Sequence, residues 1–162
     1  MRHLGPTLAA AAVVVALSAC GKAPATAPPG EPAAPAAPMS AADRQAAQAR
    51  LPAPYHTADL ANGEAKFALC STCHTLAAGA PNMTGPNLHG VFGRKAASLA
   101  GFTYSEPLKA TGWTWDAARM DSWIADPKVA VPGTKMTFAG LKDAKDRTDV
   151  IAYVMIGTGF QP

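Results

Sequence analysis

The stretch Cys70-Ser71-Thr72-Cys73-His74 is the most informative part of this 162-residue chain. The pattern C-x-x-C-H is the attachment motif for c-type haem. Two thiols separated by about one helical turn can each reach one vinyl group of a porphyrin, and the histidine that follows then points at the iron. The spacing therefore predicts one covalent haem c, held by thioether bonds to Cys70 and Cys73 and ligated axially by His74.

Closely spaced cysteines also occur in redox pairs and in zinc sites. A thioredoxin-like pair is typical of a β-α-β context, and the sequence has no convincing alternating strand pattern. A structural zinc ion needs four ligands, and the three cysteines and four histidines include no second close pair. A chance match in a loop stays open. An export signal favours haem, because c-type haem is attached outside the cytoplasm.

Residues 1–20 have the pattern of such an export signal. Arg2 supplies a positive charge, and residues 8–17 form an unbroken apolar run of ten residues, which is too short to span a bilayer as a helix. The run leads into Leu17-Ser18-Ala19-Cys20, which resembles the lipobox of bacterial lipoproteins. By that resemblance the chain is cut before Cys20, whose thiol is acylated. The alternative is an ordinary signal peptide, cut later so that Cys20 is discarded.

Residues 21–57 contain eight prolines set among alanines. Proline fixes φ and removes a backbone donor, so this composition favours an extended polyproline II conformation over a helix. The proline-free residues 40–50 can form a short solvent-exposed helix capped by Ser40. We expect a semi-rigid spacer that precedes a folded domain at residues 58–162.

Helical periodicity predicts three main helices in the folded domain. They cover approximately residues 59–69, 116–125 and 143–156. Asp59 or Asn62 caps the first helix and Asp116 opens the second, while Pro127 stops the second and Gly157 follows the third. The fold class predicted from this pattern is all-α.

Residues 79–112 are rich in glycine and proline, and we expect them to be mostly loop. A loop of this length in a small domain often wraps around a bound group.

The formal net charge of the chain is +3, without a long basic run. This charge pattern falls short of a nucleic-acid-binding signature and suits a transient protein partner. We expect a monomer.

A second axial ligand for the iron must come from a distant part of the chain. The main candidates are His56, His89, Met83, Met120, Met136 and Met155. Met136 ends the stretch Val131-Pro132-Gly133-Thr134-Lys135-Met136, in which proline and glycine can fix a loop that holds the thioether still. Met120 and Met155 fall in helical stripes, where core packing explains them better.

Residues 59–158 resemble a class I cytochrome c of the mitochondrial type and its bacterial relatives. The matching stretches are residues 70–75, 85–90, 92–95, 101–104, Trp115, 126–127, 132–136 and 147–153. The resemblance implies a cytochrome c fold, with three main helices and long loops wrapped around one covalent haem. It also implies that the first and last helices cross at Gly63, Phe67 and Tyr153.

The same resemblance implies roles for individual residues. His74 and Met136 would ligate the iron, and the carbonyl of Pro86 would accept the N–H of the His74 ring. The haem propionates would receive hydrogen bonds from Arg94, Tyr104, Trp115 and Thr134. Trp123 departs from the family pattern, which usually has a tyrosine near the methionine sulfur.

Two filled axial positions leave no open site for a substrate, which favours electron transfer over catalysis. We expect a one-electron carrier, not an enzyme, that shuttles between a quinol–cytochrome c reductase and a cytochrome oxidase or peroxidase. It would work on the periplasmic side of a bacterial membrane, anchored by lipid on Cys20. The alternatives are a haem peroxidase or gas sensor with a labile Met136, and a dedicated subunit of one oxidoreductase.

Overall fold

The computed structural model describes residues 39–162. The predicted export signal, the lipidation site Cys20 and much of the predicted spacer lie outside the described residues. Over residues 39–162 the structure is helical, and its only β-type pairing is one isolated bridge between Lys95 and Thr114. The all-α prediction is therefore confirmed. No helix in this part of the chain combines the length and apolarity needed to cross a membrane.

Six α-helices and one short 3-10 helix make up the regular structure of residues 39–162. In chain order they are α1 (Ala41–Gln48), the 3-10 helix Tyr55–Thr57, α2 (Leu60–Ser71), α3 (Glu106–Ala110), α4 (Ala117–Ala125), α5 (Pro127–Ala130) and α6 (Ala144–Gly157). The three predicted main helices correspond to α2, α4 and α6.

Each main helix begins where an aspartate caps its first turn. The carboxylate of Asp59 accepts hydrogen bonds from the backbone N–H groups of Ala61 and Asn62, so Asp59 is the cap of α2. Asp116 and Asp143 cap α4 and α6 in the same way. These caps satisfy backbone donors that have no partner within the helix, which explains why the predicted starts agree with the structure.

Two short α-helices were not predicted, and neither was the 3-10 helix Tyr55–Thr57. Helix α3 lies inside residues 79–112, which were expected to be mostly loop, and it has a proline in its first turn. Pro127 ends α4 as predicted, but it also begins α5, whose first turn is capped by Asp126. Proline is tolerated at the first position of a helix, because its missing N–H would have no partner there.

Helices α2 and α6 cross at close range, as the resemblance implied. A Cβ added at Gly63 would meet the backbone carbonyl of Asp149, so only glycine allows this approach. The rings of Phe67 and Tyr153 pack beside the crossing, with centroids 5.4 Å apart. The predicted crossing at Gly63, Phe67 and Tyr153 is therefore confirmed.

The packed part of the chain starts before residue 58, where the sequence placed its boundary. Leu51 is only 5% exposed and belongs to the hydrophobic core. The Gln48 side chain donates a 2.6 Å hydrogen bond to the carbonyl of Ala58, and Arg44 lies 3.5 Å from Glu64 on α2. We call residues 40–58 the N-terminal strap. The strap belongs to the domain, not to the spacer.

Candidate haem-binding site

A cavity of about 320 Å³ lies between α2, α4, α6 and the long loops. Its volume falls in the range of sites that hold cofactors and other small molecules. Every described residue that was expected at the haem site lines this cavity. These residues are Cys70, Cys73, His74, Pro86, Arg94, Tyr104, Trp115, Trp123, Thr134 and Met136.

The last turn of α2 brings the motif residues to the cavity. The backbone N–H groups of Cys73 and His74 both donate to the carbonyl of Cys70, at 3.0 and 2.9 Å. Both thiols are free and partly buried. Burial, with a smaller contribution from Cys73, raises the pKa of the Cys70 thiol to about 11. A thiol with so high a pKa is a poor thiolate nucleophile, which argues against a thioredoxin-like redox pair.

The His74 ring is held in one orientation. Its Nδ1 lies 2.8 Å from the carbonyl oxygen of Pro86, which can only accept, so Nδ1 carries the proton. Nε2 then has the lone pair that a metal requires. Burial lowers the pKa of His74, although the hydrogen bond to Pro86 opposes this shift. A Cβ at Gly85 would sit 2.7 Å from Nδ1, so glycine is needed beside the ring.

A network of backbone hydrogen bonds fastens the loop that carries Pro86 to the end of α2. Gly85 donates to the carbonyl of Cys73 at 2.9 Å, and Leu88 donates to the carbonyl of Thr75 at 2.8 Å. The Thr75 hydroxyl donates to the carbonyl of Pro81. The Pro86 carbonyl is thus placed relative to His74 by contacts on both sides of it.

Met136 reaches the cavity from the loop after α5. Its backbone N–H donates to the Thr134 hydroxyl at 3.3 Å. The backbone N–H of Thr134 in turn donates to the carbonyl of Val131. Gly133 has a φ of +84°, which favours glycine at this turn. Gly133 and the hydrogen bonds of Thr134 therefore define the turn that leads to Met136.

The other candidates for a second ligand are placed less favourably. Within residues 39–162, neither His56 nor His89 lines the cavity, and both side chains are exposed. Met83 is 47% exposed, and Met155 is buried away from the cavity lining. Met120 does line the cavity, but it is buried on α4 among the core residues.

Aromatic rings close one wall of the cavity. Trp115 packs edge-on against Trp123, with centroids 5.6 Å apart, and Trp113 continues the row at 6.1 Å from Trp115. Tyr104 packs against Phe102 on another part of the lining. Both Trp115 and Trp123 are less than a tenth exposed, which excludes water from this side.

Arg94 lines the cavity while two of its nitrogens contact backbone carbonyls. Nη1 donates to the carbonyl of His89 at 2.9 Å, and Nη2 donates to that of Asn87 at 3.2 Å. Burial lowers the pKa of Arg94, and the neighbouring Tyr104 opposes that change. A guanidinium has five N–H donors, so Arg94 keeps some for a negatively charged group in the cavity.

Sequence reasoning gave no role to Asn82 and Asn87. Asn87 is 8% exposed, and its side chain contacts the backbone of the loop around Thr75. Asn82 bridges toward Gly101 on a separate loop. Asn87 stands in the recognised stretch 85–90, which is a signal that could have drawn attention to it. No local pattern in the sequence marks Asn82.

Comparison with known proteins places the chain in a family. Residues 60–156 match the family model described as Cytochrome c. The chain belongs to the cytochrome c family. One covalent haem c is the cofactor of this family, and the chain has the two cysteines and the histidine needed for it.

Individual relatives agree with this assignment. The chain is 45% identical over 102 residues to cytochrome c2 of Blastochloris viridis, covering 63% of this chain and 80% of that one. It is 42% identical to cytochrome c of Kluyveromyces lactis, covering 65% and 96%. Among solved structures, cytochrome cH from Methylobacterium extorquens matches with a TM-score of 0.55 and 47% identity, over 59% of this chain and 96% of that one.

The cavity suits a haem by the chemistry of its lining. It offers two free thiols on one helical turn, an imidazole with its Nε2 lone pair free, and a thioether from Met136. The rest of the lining is largely apolar and aromatic, as the faces of a porphyrin require. The residues present therefore fit haem c.

Proposed function

We propose that this chain is a one-electron carrier in which Cys70 and Cys73 hold haem c and in which His74 and Met136 ligate its iron. When bound, the haem supplies an iron that cycles between its ferrous and ferric states. A His/Met ligand set favours a relatively high reduction potential.

One observation carries the proposal. His74 is fixed through Nδ1 by the Pro86 carbonyl, which leaves Nε2 free in the cavity that Met136 also lines. A histidine that only filled space in the core would not need its ring bound so specifically beside two free thiols. A methionine that only packed would not need a loop held by Thr134 and Gly133.

The chain's own residues would perform three tasks. The Pro86 carbonyl orients His74 and increases the basicity of its ring. Trp115 and Trp123 exclude water, which limits the reorganisation that accompanies a change of charge. Arg94, Tyr104, Trp115 and Thr134 would donate hydrogen bonds to the propionates, because a buried carboxylate without donors is costly.

The ligand proposal is tested by comparing two methionine variants. Met136→Ala should abolish the weak absorption band of a thioether bound to ferric haem and lower the reduction potential. Met83→Ala, on an exposed loop, should leave both unchanged. A Met136→Ala protein with the parental band and potential would rule out Met136 as the ligand.

The same experiment separates a carrier from a haem enzyme or gas sensor. If Met136 is a firm ligand, the reduced parent should not bind carbon monoxide, whereas the reduced Met136→Ala protein should. Rapid binding of carbon monoxide by the parent would indicate a labile ligand and would contradict the carrier proposal.

We further propose that the carrier works on the periplasmic side of a bacterial membrane, anchored by lipid on Cys20. There it would accept electrons from a quinol–cytochrome c reductase and donate them to an oxidase or peroxidase. A tether raises the effective concentration of the carrier near such partners, so little affinity is needed.

Cys20→Ser should move the protein from the membrane fraction to the soluble fraction. A parent that is already soluble, with no lipid on residue 20 by mass, would contradict the anchor.

A further inference from the structure

We propose that Asn82 is a positioning residue that orients the Pro86–Asn87 peptide and thereby tunes the His74 ligand. This inference rests on the proposed role of His74 as an iron ligand and deepens it. Asn82 does not line the cavity, and its Oδ1 accepts from the Asn87 N–H, so its effect on the iron would be indirect, through that peptide.

The Pro86 carbonyl and the Asn87 N–H belong to one planar peptide unit. The carbonyl accepts from Nδ1 of His74 at 2.8 Å, and the N–H donates to Oδ1 of Asn82, also at 2.8 Å. Both polar groups of the peptide are therefore engaged, one on each side. Rotating the peptide would break both hydrogen bonds together, so Asn82 helps to fix the direction of the carbonyl that holds His74.

The Asn82 amide has only one orientation that suits its neighbours. A backbone N–H can only donate, so the atom that faces Asn87 must be Oδ1, and Nδ2 is left to point toward the carbonyl of Gly101 at 3.4 Å. The Asn82 side chain thus connects the Pro86–Asn87 peptide to Gly101. Gly101 precedes Phe102 and Tyr104, and both of those residues line the cavity.

Asn87 has a different task from Asn82. The Asn87 side chain donates to the Thr75 hydroxyl at 2.7 Å and to the carbonyl of Ala77 at 3.0 Å, and its oxygen accepts from the N–H of His89. These contacts anchor the loop to the segment after α2. They leave the backbone N–H of Asn87 to Asn82, so removing Asn82 affects the peptide without removing the anchor.

Hydrogen bonds in a chain polarise one another. An acceptor on the N–H side of a peptide makes its carbonyl a stronger acceptor, and that carbonyl then draws the Nδ1 proton of His74 more strongly. The ring becomes a better electron donor, which favours ferric over ferrous iron. Asn82 should therefore lower the reduction potential, and its loss should raise it.

The test uses the haem-loaded protein and two readouts. Asn82→Ala should raise the reduction potential and speed hydrogen exchange at the Asn87 backbone N–H by roughly tenfold, the factor expected for losing one ordinary hydrogen bond. It should also shift the NMR signal of the His74 Nδ1 proton in the reduced protein. Asn82→Asp keeps an oxygen acceptor in place, so it should restore slow exchange at Asn87.

Asn62→Ala is the matched control. Asn62 is also partly buried, and its Nδ2 donates to Asp146 and Asp149 where α2 meets α6. Its removal should lower thermal stability without moving the potential or the His74 signal. This comparison separates positioning from general loosening, and it works even if Asn82→Ala is less stable than the parent.

Two results would count against different claims. An Asn82→Ala protein with the parental potential, Asn87 exchange rate and His74 signal would overturn the role of Asn82. A parent protein in which the His74 signals show no iron ligation would instead overturn the proposed function. The parent spectrum is measured first, so the two failures cannot be confused.

Discussion

Asp149 shows how one residue couples the two crossing helices. Its carboxylate is 2% exposed, yet it accepts hydrogen bonds from the backbone N–H of Asp59, from Asn62 and from Lys145, at 2.9, 2.7 and 2.6 Å. Burial alone would raise the pKa of Asp149, but these donors outweigh it and hold the pKa below its ordinary value. The charged form is therefore the one that stabilises the fold.

The first prediction concerns this carboxylate. Asp149→Asn should lower the free energy of unfolding by about 1–3 kcal/mol at neutral pH, because the donors lose a charged acceptor. The pKa is depressed in the folded state, so the stabilisation is complete above the unfolded pKa of about 3.9 and is lost as pH falls through the lower folded pKa. The gap between parent and variant, measured by denaturant unfolding, should therefore shrink in acid.

Glu64→Gln provides the control for this experiment. Glu64 pairs with Arg44 at the surface, where the Glu64 side chain is 59% exposed, and such pairs contribute about 1 kcal/mol or less. A gap for Asp149→Asn that stayed constant down to acidic pH would show that its charge does not stabilise the fold.

Among the elements, the N-terminal strap differs most from the sequence prediction. The short helix after Ser40 was predicted, and α1 lies there with Ser40 as its cap. Its packing was not predicted, because the eight prolines and many alanines of residues 21–57 made the whole stretch resemble a spacer. Local composition indicates an extended backbone. It carries no information about tertiary contacts, so it does not show that residues distant in sequence bury Leu51.

The second prediction concerns the packing of the strap. Leu51→Ala should lower the free energy of unfolding by about 2–4 kcal/mol, because a buried leucine is replaced by a cavity. The haem spectrum should stay parental, since Leu51 does not line the cavity. Met39→Ala, at a 42% exposed position, serves as the control and should change little. Equal stability of Leu51→Ala and the parent would show that the strap is not part of the folded domain.

At the scale of the whole molecule, the sequence marks the residues that line the cavity better than it marks the residues and short helices that hold the surrounding loops in place. The C-x-x-C-H motif, the aspartate caps and the Pro-Gly loop are local signals, and each corresponds to an observed feature. Helix α3 has only five residues, too few for a periodic pattern to show. The contacts of Asn82 with Asn87 and Gly101 form only when the chain folds, so no local sequence pattern predicts its role.

At the scale of the whole molecule, we propose that one covalent haem fills the cavity between α2, α4 and α6. Without it, a cavity of about 320 Å³, lined largely by apolar side chains and by two free thiols, would remain between these helices. A void of that size would be costly, because its lining atoms would lose their packing contacts. The proposed thioether bonds from Cys70 and Cys73 would therefore support both the fold and the proposed electron transfer.

The most direct test is the intact mass of the denatured protein after expression with a haem c attachment system. We expect a polypeptide that carries the mass of one haem, with the haem retained on the peptide that contains residues 70–74. A polypeptide without that mass, together with haem that extracts freely into acidified organic solvent, would contradict this expectation.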